Sequence, residues 1–205
     1  MSVEPEASGP TWPAPPKGGW TADDLDRLPN LPPHTELIDG SLVFMSPQTI
    51  FHESAVDFFK WQLRSLAPRG LVVRREMTVV IDSRNRPEPD VVVLRKGTVT
   101  GPGQTQFDAD DVILAIEVVS PDSEVRDREA KPQKYAKAGV PHFWRVENDR
   151  GRPVVYVFEL EPASRQYAPT GIFHEDLKVS VPFPIALDLA EIMRDIEGPE
   201  NLEAE

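Results

Sequence analysis

The chain has 205 residues, which at about 150 per domain reads as one domain with tails, long enough to bury a sizeable core. Its 22 Lys+Arg stand against 34 Asp+Glu, a net charge of −12 that disfavours generic binding to phosphate, and it has no cysteine, which excludes disulfide scaffolds, thiolate zinc, iron–sulfur clusters and cysteine nucleophiles. No apolar run approaches the roughly 20 residues of a membrane span, and the first residues lack the basic and apolar regions of a secretory signal, so a soluble cytoplasmic protein with no membrane partner is expected.

The negative charge is uneven: net −3 over residues 1–33, −2 over 34–169 and −7 over 170–205. Residues 1–20, rich in Pro and Gly, read as a disordered leader. A single domain is expected over 21–194, with an acidic, frayed tail at 195–205. Thr21 and Asp24 have capping-box spacing at the start of a short helix that stops before Pro29. Thr35–Ile38 and Leu42–Met45 flank Asp39-Gly40, a strong hairpin signal. Over 50–67, Ala55, Phe58, Phe59, Leu63 and Leu66 recur at helical spacing, and Pro68 and Gly70 end the helix. Strands are expected over Leu71–Ile81, Pro89–Leu94 and Val112–Val119. The last is apolar on both faces and belongs at the centre of a covered sheet. Residues 97–110 read as a loop, and its Gly101-x-Gly103 lacks the strand–helix context of a phosphate loop. A helix over 124–138 ends at Gly139, suited to a left-handed cap. Strands at His142–Val146, Val154–Leu160 and Leu177–Val181 follow, then a helix at Leu187–Arg194. The pattern predicts an α/β (α+β) fold, a mixed sheet flanked by helices.

Glu117 interrupts the most apolar strand with a carboxylate. An unpaired buried carboxylate costs several kcal/mol, so Glu117 must meet a metal, a cation or a wet cleft; a strand end surfacing beside Ser120-Pro121 would also satisfy it. Asp90 opens another strand, where a turn acid is common. If the two strands are neighbours, the two carboxylates converge, and a divalent cation between them would relieve their repulsion. Magnesium and manganese prefer such oxygen ligands. Asp127, Lys131 and Tyr135 are spaced to share one helical face. An exposed salt-bridged face explains that spacing equally well; beside two carboxylates and a metal, the lysine could stabilise a developing pentavalent phosphate. Glu36 and His52 could orient a nucleophile or complete a metal shell, although a lone histidine near a helix start is more often structural.

The ordered set Glu36-Leu-Ile-Asp-Gly, Met45-Ser-Pro, His52, Pro87-Glu-Pro-Asp90, Glu117-Val-Val-Ser-Pro121, Arg126-Asp127 with Lys131 and Tyr135, Ala138-Gly-Val-Pro141 and Phe143-Trp144 resembles the Uma-type family of restriction-endonuclease-like proteins in the PD-(D/E)XK nuclease superfamily. It spans about residues 21–190; each motif is weak alone and the ordered set is specific. The resemblance implies a restriction-endonuclease-like core and a Mg²⁺ or Mn²⁺ site at Asp90 and Glu117, with the backbone carbonyl of Val118 as a further ligand. Val119 stands where the superfamily motif has its lysine; Lys131 matches a substitute from the following helix, and Lys134 is the fallback. Pro132 disfavours helical geometry at residue 131, so Lys131 is expected to project from a helix start. Glu36 is carried as an auxiliary acid.

The resulting expectation is an endonuclease that hydrolyses DNA phosphodiesters with metal-activated water. Asp90, Glu117 and Lys131 would be catalytic, Glu36, His52, Asp127, Lys134 and Tyr135 auxiliary, and Arg126 and Arg128 would contact phosphate. A homodimer would suit two-strand cleavage. The alternative is an inactive binding or regulatory module on the same scaffold, favoured by the acidic balance and by Val119. A glycosidase built on paired carboxylates finds little support in aromatic content.

Overall fold

The computed structural model describes residues 13–198. Residues 1–12 of the expected leader and 199–205 of the expected tail lie outside the described residues. In chain order the elements are α1 (Ala22–Leu25), β1 (Glu36–Ile38), β2 (Ser41–Val43), α2 (Ile50–Leu66), β3 (Leu71–Arg75), β4 (Thr78–Val80), β5 (Val91–Arg95), β6 (Gln106–Asp108) and β7 (Val112–Val118). There follow α3 (Lys131–Ala138), β8 (His142–Asp149), β9 (Arg152–Glu161), β10 (Gln166–Phe173), β11 (Asp176–Val179), β12 (Ile185–Asp188) and α4 (Ala190–Glu197).

A six-stranded sheet in the order β10-β9-β8-β7-β5-β3 forms the centre. Its β7–β8 pair is parallel and its other pairs are antiparallel, so the sheet is mixed. The parallel pair is joined through α3, the crossover that parallel neighbours require. Because side chains alternate along a strand, each central strand serves two cores. Val91, Val93, Leu114, Ile116, Val118, Trp144 and Val146 pack with Phe59 and Leu63 of α2 and Ile192 of α4. Val92, Leu94, Ala115 and Phe143 pack on the other face with Tyr135 of α3. That alternation sends Glu117, between Ile116 and Val118, to the α3 side. The fold is the expected mixed α/β arrangement with a covered central sheet.

Asp39 and Gly40 both take positive φ, 51° and 79°, as a two-residue hairpin turn demands, and β1 and β2 pair across it. The helix over 50–66 buries Phe51, His52, Ala55, Val56, Phe59 and Leu63; Leu66, expected on the apolar face, is 40% exposed.

Four expectations are corrected. The strand anticipated over 71–81 breaks at Glu76, whose φ is 51°, so β3 joins the main sheet while β4 pairs in parallel with β6. The loop anticipated over 97–110 therefore contains a strand, β6. The hairpin partner β10 was not anticipated, because Pro169 and Gly171 interrupt its pattern; the β9–β10 ladder shifts register between those two residues. The last helix occupies 190–197, and residues 185–188 are strand instead.

Residues 124–138 are helical, as expected, but 126–130 wind as a wide π turn. The Lys131 N–H reaches back five residues to the Arg126 carbonyl. Pro132 has no N–H to donate, and its ring would crowd the carbonyl four residues earlier in a regular α turn; the wider turn relieves this. Lys131 keeps helical dihedrals, φ −63° and ψ −46°, and so sits at a π–α junction instead of a free helix start.

Candidate active site

Seven polar side chains meet at one end of the central sheet, from β1, α2, the residue before β5, β7, the π turn and α3. In the β5–β7 ladder Val91 lies opposite Ile116, which places Asp90 and Glu117 at the same end of adjacent strands. Thr49 caps α2 by accepting the His52 N–H through its hydroxyl, at 3.2 Å; this fixes His52 in the first turn. There His52 Nε2 lies 3.1 Å from Asp90 Oδ1. The other Asp90 oxygen accepts the Val118 N–H at 2.6 Å, tying the two strands at the site.

Lys131 Nζ lies 2.9 Å from Glu117 Oε2, 2.9 Å from Glu36 Oε1 and 3.2 Å from Asp127 Oδ1. Tyr135 donates its hydroxyl to Glu117 Oε1 at 2.7 Å, and the Glu88 N–H donates to Glu36 Oε1 at 2.7 Å. Glu36, Asp127, Lys131 and Glu117 are each at most 1% exposed. The expected face of Asp127, Lys131 and Tyr135 is thus real, but it is buried against Glu117 and is no solvent-facing salt-bridge surface.

The electrostatics are strained toward negative charge. Burial pushes the Glu117 carboxyl well above the usual carboxylate range, against the pull of Lys131 and with help from Asp127, Asp90 and Glu36. Burial likewise raises Asp127. Burial opposes the charge on Lys131, yet Glu117, Glu36 and Asp127 together outweigh it and hold the ammonium firmly protonated. Burial would lower His52, but the hydrogen bond and charge of Asp90 carry it above its ordinary value. Burial and the neighbouring Glu117 keep the Tyr135 phenol protonated.

Two buried carboxylate oxygens are left over. Glu36 Oε2 has no hydrogen-bond partner, and Asp127 Oδ1 faces Lys131 outside hydrogen-bonding geometry. Four carboxylates against one lysine and one histidine, with unsatisfied oxygens, is donor chemistry that suits a hard cation. Among the described residues no group of three or more His, Asp or Glu side chains is arranged to hold a metal ion. Magnesium needs fewer, since it is commonly held by one or two carboxylates with waters and substrate phosphate.

A cleft of about 340 Å³ opens onto Asp90 and His52, lined also by His34, Met45, Glu76 and Glu88. Two expected residues lie elsewhere. Lys134 pairs with Asp39 at 2.6 Å, outside the cluster. Arg128 is paired to Glu124 and Glu147, so its charge is already compensated. Arg126 is half-buried, and its Nε has no hydrogen-bond partner. Glu88, whose N–H holds Glu36, was not singled out from the sequence; its place in Pro87-Glu-Pro-Asp90 was the available signal.

A mixed sheet covered on both faces, with Asp90 and Glu117 on adjacent strands and a lysine from the next helix, defines a restriction-endonuclease-like protein. The family model described as "Putative restriction endonuclease", Uma2, matches residues 22–191, and the chain belongs to that family. Among solved structures, a nuclease, described as putative, of the DUF820 group from Anabaena variabilis ATCC 29413 aligns with a TM-score of 0.63 at 20% identity, covering 84% of this chain and 97% of that one. NucC from P. aeruginosa, in a cAAA-bound form, aligns with a TM-score of 0.36 at 13% identity over 58% of this chain and 70% of that one, too weakly to support any inference. No protein of curated function matches the sequence. Among the described residues no helix is long and apolar enough to cross a membrane.

Proposed function

We propose that this protein is a divalent-metal-dependent nuclease that hydrolyses DNA phosphodiester bonds at the Asp90–Glu117 site. The observation that carries this reading is the placement of Asp90 and Glu117 at one end of adjacent strands, in a buried cluster whose carboxylates outnumber its cations. Asp90, Glu117 and the Val118 carbonyl would hold Mg²⁺ or Mn²⁺, which when bound would polarise the scissile phosphate and lower the pKa of a water.

The chain's own residues prepare that site. Lys131 and Tyr135 each hold one oxygen of Glu117, and His52 and the Val118 N–H each hold one oxygen of Asp90. These donors orient both carboxylates, and a metal would share their oxygens with them. The Lys131 ammonium remains charged and can offset negative charge gathering on the phosphate. Arg126 is the better candidate for a phosphate contact, because Glu124 and Glu147 occupy Arg128. At the cleft mouth Glu88 pairs with His34 at 2.5 Å and Glu76 with Arg75 at 3.2 Å.

The alternative, an inactive module on this scaffold, is favoured by one observation: Lys131 closes the carboxylate cluster into a buried ion-pair network. Incubating supercoiled plasmid and labelled oligonucleotides with the protein in Mg²⁺ or Mn²⁺ decides between them. The nuclease reading expects hydrolysis that falls to background in Asp90→Ala and Glu117→Ala. Cleavage that survives either change, or none from the wild type with metal bound, supports the alternative.

A further inference from the structure

A second concavity lies apart from the candidate active site. It is a groove of about 640 Å³ between α3 and the turn joining β9 to β10. Its walls include Arg128, Lys137, Arg145 and Arg165 against one acid, Glu129, and its floor includes Phe158 and Tyr167. This gathering of cations runs against the chain's overall −12.

Not all four charges are available. Glu124 and Glu147 pair with Arg128, and Glu147 also lies 2.7 Å from Arg145 Nε. Lys137 and Arg165 differ. Among the described residues neither makes an ion pair, and Arg165 Nη1 donates to the Lys137 carbonyl at 2.8 Å. That bond caps the last turn of α3 and uses one of five guanidinium donors. Both side chains line the groove without an anionic partner, and an arriving anion would meet two uncompensated charges.

The aromatic floor narrows the class of anion. Phe158 and Tyr167 are half-buried with ring centroids 6.5 Å apart, and the Arg145 guanidinium sits 5.7 Å over the Phe158 ring. Cations along a groove with aromatic and guanidinium planes at its floor suit single-stranded nucleic acid, whose bases stack while its phosphates meet charge. The volume is that of a site for one drug-sized molecule, enough for a short stretch of one strand.

We infer that this groove binds a single nucleic-acid strand, with phosphates at Lys137 and Arg165 and a base against the Phe158–Tyr167 floor. The inference rests on the nuclease reading for its choice of ligand, and it assigns the α3 flank a role in holding a strand away from Asp90 and Glu117. Arg128 lines both this groove and a neighbouring one that reaches Thr49, Phe51 and Ser120, so concave surface continues from the groove toward the start of α2, where His52 stands.

The test is fluorescence anisotropy of a labelled single-stranded oligonucleotide in EDTA across a salt series, comparing the wild type with Lys137→Glu and Lys137→Gln/Arg165→Gln. Lys137→Glu changes an exposed side chain that holds no element in place, so it stays folded even if loss of the Arg165 cap weakens the double variant. The expected result is at least a tenfold loss of affinity at low salt in both. In the double variant, the slope of log K against log salt should flatten by about 1.4, or about 0.7 for each phosphate no longer neutralised. Wild-type affinity and slope in Lys137→Glu overturn the inference, as does a wild type that binds no strand or prefers a duplex. Cleavage in Mn²⁺ is scored separately: cleavage with unchanged strand binding in the variants sinks only the groove, and groove-dependent binding without cleavage sinks only the nuclease reading.

Discussion

Replacing Lys131 by methionine removes the ammonium that faces Glu36, Glu117 and Asp127 at 2.9, 2.9 and 3.2 Å. At an effective dielectric near 20 each contact is a gross attraction of about 5 kcal/mol, most of it offset by desolvation of the ammonium. Removing one partner of a buried ion pair costs about 3–5 kcal/mol, because uncompensated charge stays behind. Three carboxylates would be left here, so the upper half of that range is expected, a fall in melting temperature of about 10–20 °C for a chain this size. Glu117→Gln should behave differently. It takes negative charge from a cluster with too much of it and leaves Lys131 two carboxylates, so its cost should stay below about 2 kcal/mol. Bound Mn²⁺ at ten times its dissociation constant should return about 1.4 kcal/mol to Lys131→Met. Urea denaturation of both variants, with and without Mn²⁺, measures all three quantities. A Lys131→Met cost under about 1 kcal/mol, or equal costs for the two variants, would refute the view that this lysine is the counter-ion of the cluster.

Two further outcomes follow from sites outside the cluster. A Cβ at Gly19 would stand 2.6 Å from the Gly40 carbonyl oxygen, at a φ of +88°, so Gly19→Ala should lose about 1–3 kcal/mol in denaturant titration; wild-type stability would show that residues 16–20 do not hold the hairpin. Burial holds the His142 imidazole below its usual value, opposed by Glu159. The unfolded chain then binds more protons than the folded one below an unfolded pKa of about 6.5. Stability should therefore fall as pH drops from about 6.5 toward the lower folded value, by at most about 1.4 kcal/mol per pH unit. The wild type should lose more urea resistance between pH 7.5 and 5.5 than His142→Gln, and equal losses would contradict the assignment.

What could be read from the sequence follows from range. The Asp39-Gly40 turn, the long helix and the Val-rich strands rest on local pattern, and all three formed. The break at Glu76 did not show, because one residue in a left-handed conformation splits a run whose valines resume at Val79. Strand β10 hid because Pro169 and Gly171 look like loop residues, which an edge strand tolerates at a register shift. At the site, residue types pointed to Glu36, Asp90, Glu117 and Lys131, and the structure brings them together. Their pairing did not show: Lys131 meets Glu36, far away along the chain, only because β1 lies beside α3 in space. The same distance in sequence hid the capture of Lys134 by Asp39. The π turn that carries Lys131 past Pro132 has no sequence period of its own.

The central claim is that Asp90 and Glu117 share a divalent ion. Calorimetric titration of Mn²⁺ and Mg²⁺ into the wild type beside Asp90→Ala and Glu117→Ala tests it most directly. The wild type should bind with millimolar or tighter dissociation constants, and both variants should lose that binding while their folds persist. Binding that ignores both substitutions, or a wild type that takes up neither ion with or without an oligonucleotide present, would contradict it.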